Sequence, residues 1–158
     1  LGSIQSPQNA FYLNLGLETL HVRMDRHCSN ALAVAEFIRD SGCAIEVTYP
    51  GMKGSKGYEL AQKYMPDGTS GVISFRIKGG RDAATKFMDS LKIAEIATHV
   101  ADAHTCVLHP ASTTHSNMTE QEQLDSGITP DFIRMSVGIE DVEDLIEDID
   151  QALKKAIN

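Results

Sequence analysis

The stretch Phe132-Ile133-Arg134-Met135-Ser136-Val137-Gly138-Ile139-Glu140-Asp141 constrains this chain more than any other. Its first six residues alternate with the period of a strand. Ile133, Met135 and Val137 face one way, and Phe132, Arg134 and Ser136 face the other. The first set is a face for burial. The second fixes a guanidinium in the middle of a rigid element, where its planar fork of donors matches a carboxylate through two parallel N–H···O bonds. Spacing alone leaves two alternatives open: an ordinary solvated strand face, or a structural ion pair between Arg134 and Glu140 or Asp141.

The elements around this strand follow from periodicity and punctuation. Ser6-Pro7 is a helix-start signal, a capping hydroxyl before a proline at the first helical position. Leu17, Leu20, Met24, Cys28, Ala31, Leu32, Ala35 and Ile38 keep helical spacing up to Gly42. Ala44 to Tyr49 reads as a strand, Tyr58 to Tyr64 as a short helix stopped by Pro66, and Gly71 to Lys78 as a second strand. Arg81 to Leu91 carries the apolar stripe Ala84, Phe87, Met88 and Leu91. Ile93 to Val100 and Thr105 to Leu108 are expected as further strands, and Thr119 with Glu122 has the capping-box layout of a helix start. The last helix aligns Val142, Leu145, Ile146, Ile149, Leu153, Ala156 and Ile157. Strands and helices mixed in this way predict an α+β fold: a small, mostly antiparallel sheet with helices packed on one side. At 158 residues the chain is expected to be a single domain.

Charge narrows the partners. The formal net charge of −8 argues against nucleic acid and anionic membranes, which need a basic patch. Much of that charge sits on or just before the last helix, in Glu140, Asp141, Glu143, Asp144, Glu147, Asp148 and Asp150. No apolar run approaches the roughly 20 residues of a membrane span. Cys28, Cys43 and Cys106 are odd in number and form no CxxC, which points to free thiols and a cytoplasmic, reducing setting.

Candidate catalytic groups are few. Lys86, in Ala83-Ala84-Thr85-Lys86, invites a Schiff-base reading, yet it lies opposite its helix's apolar stripe and is expected in solvent, where nothing lowers its pKa. His99, His104, His109 and His115 are too widely spaced for a usual metal site and have no thiolate pair beside them. His109-Pro110-Ala111-Ser112-Thr113-Thr114-His115 offers small side chains, hydroxyls and an imidazole, the makings of a polar pocket or equally of a turn. No GxSxG, phosphate loop or dinucleotide fingerprint is present.

Several ordered motifs together resemble the C-terminal domain of the Cys/Met-metabolism family of pyridoxal-phosphate enzymes. Ser6 to Phe11 resembles its SPxNAF, Gly16 to Leu20 its GLETL, and Arg23 to Ala31 its RMxRHxxNA. His109 to His115 resembles its HPAS-x-TH, and Ile133 to Asp141 its IRLSVGxED. Within the family the pattern is most similar to the O-acetylhomoserine sulfhydrylases. The resemblance implies that Arg134 binds the α-carboxylate of an amino-acid substrate and that Thr114 lies near the substrate pocket. Many members carry ESLG upstream of HPAS, with its serine at the same carboxylate. The aligned segment here is Thr98-His99-Val100-Ala101, which makes His99 the third candidate, by side chain or by backbone. The resemblance further implies pyridoxal phosphate as cofactor, with its lysine, phosphate ligands and stacking aromatic in a preceding domain. Residues 1–158 are then one C-terminal domain of a longer, homo-oligomeric transferase of methionine biosynthesis, inactive alone. The C-terminal domain of a cystathionine γ-synthase or a γ-lyase, or a free-standing amino-acid-binding or interaction module, are the competing expectations.

Overall fold

The computed structural model describes residues 2–157. In chain order it contains α1 (Pro7–Glu18), α2 (Leu20–Asp40), β1 (Ala44–Thr48), α3 (Tyr58–Tyr64), β2 (Val72–Ile77) and α4 (Gly80–Ser90). There follow β3 (Glu95–Ile96), β4 (Cys106–Leu108), a 3-10 turn over Pro110–Ser112, α5 (Glu120–Asp125), β5 (Phe132–Ser136) and α6 (Val142–Ile157). The strands form one sheet in the order β1-β2-β5-β4-β3. Three neighbouring pairs are antiparallel, and only the edge pair β3/β4 is parallel. The arginine strand β5 is therefore central, with β2 on one side and β4 on the other.

Register explains which face is dry. Met135 stands opposite Ile73 on β2 and Val107 on β4, while Ile133 stands opposite Phe75. All five side chains are buried. Helices α2, α4 and α6 cover this face through Ala31, Val34 and Ile38, Ala84 and Phe87, and Leu145, Ile149 and Leu153. Phe87 meets Phe75 edge-on, ring centres 5.6 Å apart at 89°, which sets a positive ring edge against a negative face. The expected α+β arrangement, with helices on one side of the sheet, is what the molecule has.

Three local departures are present, and two of them involve buried polar groups that periodicity does not weigh. The helix expected to run unbroken through Leu17 is interrupted at Thr19, so α1 ends before α2 begins, and α1 buries no residue of its own. The core side of α2 also includes His27 and Asn30, both buried, whereas Leu17 and Leu20 are exposed. The strand expected over Ile93 to Val100 shrinks to Glu95–Ile96. Asp148, a buried member of the acidic helix, captures the amides of Lys92 and Ile93 at 2.8 Å and of Ala94 at 3.2 Å. Beyond Ala97, whose amide still reaches Val107, the chain leaves the ladder.

Candidate functional site

Arg134 stands on the face of β5 that the helices leave uncovered, opposite Ser74 on β2 and Leu108 on β4. One of its terminal nitrogens, Nη2, donates to the carbonyls of Thr98 and His99, each at 3.1 Å. Its Nε is buried and has no hydrogen-bond partner among the described residues. Leaving a buried charged donor unpaired costs on the order of 1–3 kcal/mol or more, which makes this atom the least satisfied donor of the guanidinium. The two acids that competed for Arg134 are engaged elsewhere. Glu140 accepts from the amide and, at 2.9 Å, the hydroxyl of Thr105. Asp141 accepts from the Glu143 amide at 2.9 Å and caps α6. No ion pair forms on Arg134 among the described residues.

The carbonyls that hold Arg134 belong to a strap. After β3, at the sheet edge, the chain returns across β4 until the Ala101 amide donates to Ser136 Oγ on β5, at 3.1 Å. Ser136 and Arg134 share one strand face, so the strap crosses the uncovered side. Ala101 bends it with φ +60°, a left-handed conformation unfavourable for any residue with a Cβ. His99 contributes its carbonyl to the arginine, and its imidazole is exposed at the rim. There its Nδ1 lies 3.8 Å from Asp102, which is 3.4 Å from the Nδ1 of His104. The His104 amide, helped by both imidazoles, holds the Asp102 carboxyl below the usual carboxylate range.

The loop after β4 begins one residue past the cross-strand partner of Arg134 and packs against β5. His109 is buried inside it. Its Nε2 donates to the Pro130 carbonyl and its Nδ1 accepts from Ser112, both at 2.8 Å, because a carbonyl can only accept. This imidazole is a clamp between the loop and the approach to β5. Buried Gln123, which no periodicity singled out, ties the loop from below through the carbonyls of Ala111 at 3.0 Å and His115 at 2.8 Å. Thr114 is exposed, its hydroxyl 2.8 Å from His115 Nδ1. Arg134 and the backbone of His99 thus meet directly, while Thr114, on the loop after β4, bonds to neither. No group of His, Cys, Asp and Glu among the described residues has metal-binding geometry.

The sequence model described as "Cys/Met metabolism PLP-dependent enzyme" matches residues 1–154. The chain belongs to that family. It is 44% identical over 155 residues to an O-acetyl-L-homoserine sulfhydrylase of Leptospira meyeri, covering 98% of this chain and 35% of that protein. An L-methionine gamma-lyase of Fusobacterium nucleatum subsp. nucleatum is 42% identical over 154 residues, with 98% and 39% covered. The crystal structure of cystathionine gamma-lyase from yeast superposes with a TM-score of 0.93 at 39% identity, over 99% of this chain and 40% of that one. The chain therefore spans well under half the length of these relatives.

The family depends on pyridoxal phosphate, whose usual covalent anchor is a lysine with a lowered pKa. Every lysine of this chain, Lys86 included, is exposed, so none fits as that anchor.

Proposed function

We propose that this chain is the substrate-carboxylate-binding, C-terminal part of a pyridoxal-phosphate enzyme that makes homocysteine or methionine. The reaction replaces the γ-acetoxy group of O-acetylhomoserine by sulfide or a thiol and releases acetate. The observation that carries the reading is Arg134: a strand-borne guanidinium with a buried, unpartnered Nε and both neighbouring acids committed to other groups. Charge-assisted bonds from the guanidinium protons that Thr98 and His99 leave free fix the position and angle of the substrate's α-carboxylate, and with them its Cα. His99 acts through its carbonyl, steadying the arginine, and Thr114 lines the loop beside the substrate. The cofactor and its lysine come from a preceding domain of the same protein. α1 supports this, since Phe11, Leu13 and Leu17 are each more than 60% exposed and clustered exposed apolar side chains are normally covered. The intact enzyme is a homo-oligomer that takes a small amino-acid substrate, without nucleic acid or membrane. No helix of the described residues is long and apolar enough to cross a membrane. The three free cysteines support a cytoplasmic setting.

The test is an assay of the intact protein with O-acetylhomoserine and sulfide, expecting homocysteine and acetate in equal amounts. A second reading, cystathionine γ-synthase or a γ-lyase, draws support from the 42% identity to the Fusobacterium methionine gamma-lyase and from the yeast structure. Ammonia and a 2-oxo acid released from methionine or cystathionine without sulfide would replace the γ-replacement reading with γ-elimination. Turnover or specific amino-acid binding by this chain alone would favour a free-standing module.

A further inference from the structure

We infer that His27 and Asn30, buried on α2, are positioning residues for Arg134; the inference rests on the carboxylate reading above. Both side chains are 2% exposed on a helix face otherwise made of Ala31, Val34, Ala35 and Ile38. A buried amide or imidazole is unfavourable unless its donors are used, and here all three contacts go to one short segment. His27 Nδ1 donates to the Val137 carbonyl at 2.7 Å. Asn30 Nδ2 donates to the carbonyls of Gly138 at 3.1 Å and Glu140 at 2.9 Å. That segment is the exit of β5, three residues past Arg134.

The rest of the exit is closed as tightly. Val137 N donates to the Gly71 carbonyl at 2.8 Å, Gly138 N to Thr105 Oγ1 at 2.8 Å, and Ile139 N to the Ala103 carbonyl at 2.9 Å. A Cβ on Gly138 would collide with the Ala103 carbonyl and the Glu140 carboxylate, so the approach admits only glycine. Arg134 is thus held between two anchors: the strap carbonyls at its tip, and the α2 donors that set where its strand ends. A rigid strand transmits a shift at its exit to the guanidinium. A displacement on the order of 1 Å degrades a bidentate contact far more than it degrades folding.

The experiment uses the intact enzyme loaded with pyridoxal phosphate. Asn30→Asp keeps the side chain's size and removes both donors; His27→Ala removes one; His27→Asn restores an N–H near the position of Nδ1. A displaced Arg134 still orients the carboxylate but holds it less tightly, so its displacement falls mainly on KM, whereas its removal costs kcat as well. KM for the amino-acid substrate should then rise about tenfold in Asn30→Asp and about fivefold in His27→Ala, with kcat within about twofold. His27→Asn should return KM to within about twofold of the parent. Should Asn30→Asp give no folded enzyme, the two His27 variants decide alone. A lowered Tm with unchanged KM in the donor-lacking variants means a purely structural role and overturns the inference, leaving the carboxylate reading intact if Arg134→Ala still raises KM. Unchanged KM in Arg134→Ala itself overturns both.

Discussion

Two arginines share the uncovered face of the sheet, and they differ in what the fold offers them. Arg76, on β2, stands opposite Phe132, two positions along the ladder from the Ser74–Arg134 pair. Its Nε and Nη2 make the two parallel bonds of a fork to Asp131, at 3.1 and 3.0 Å, and Thr129 bonds the same carboxylate. Among the described residues Arg134 bonds to carbonyls only. A carbonyl orients a guanidinium without cancelling its charge, whereas a carboxylate does both. The chain supplies one arginine with its anion and withholds an anion from the other, although Glu140 and Asp141 lie close in sequence. Thr105 and the start of α6 occupy those acids, and this leaves Arg134 without a carboxylate among the described residues.

The comparison breaks most visibly in kinetics. Arg134→Ala in the intact enzyme should raise KM and lower kcat, cutting kcat/KM by about 100- to 1,000-fold, the equivalent of two charge-assisted bonds. Arg76→Ala should leave both constants nearly unchanged. Equal losses in the two variants would abolish the distinction. A smaller effect belongs to stability. Asp131→Asn should cost about 1–2 kcal/mol in denaturant unfolding, because a buried acceptor of Arg76 is weakened while Arg76 itself can turn to water. The same pair carries a pH signature. Burial pushes the Asp131 carboxyl up, but Arg76 and Thr129 together pull it below the usual range. Its contribution is therefore present above the ordinary aspartate value of about 4 and fades as pH falls through the depressed one, a window that Asp131→Asn should erase. The smallest effect concerns the strap: Ala101→Gly should add about 0.5–1 kcal/mol by relieving the left-handed backbone, without changing KM. A loss of stability there would mean that Ala101 packs rather than strains.

Much of this was legible in the residues. The alternation of β5 placed Ile133 and Met135 in the core and Arg134 on the other face, and the stripe of α4 placed Phe87 inside and Lys86 in solvent. The Thr119–Glu122 capping box is formed as its spacing implied. Local rules suffice there because each depends only on neighbours three or four residues away, or on alternate positions. They fail where a polar group bonds across the chain. Asp148 reads as one acid among several on a solvated helix, yet it is buried and shortens β3, more than fifty residues earlier. Gln123 looks like ordinary helix polarity and His109 like ordinary loop polarity, and both are buried ties.

By itself, then, the sequence determined the α+β class, the family and the strand that carries Arg134, because hydrophobic period and motif order are written in the chain. Only the tertiary structure decided that Arg134 lacks an internal anion, that His99 meets it by backbone, and that α2 grips the end of its strand. Those outcomes turn on which of several possible partners each buried donor and acceptor reaches, and that choice is made by the packing of segments distant in sequence.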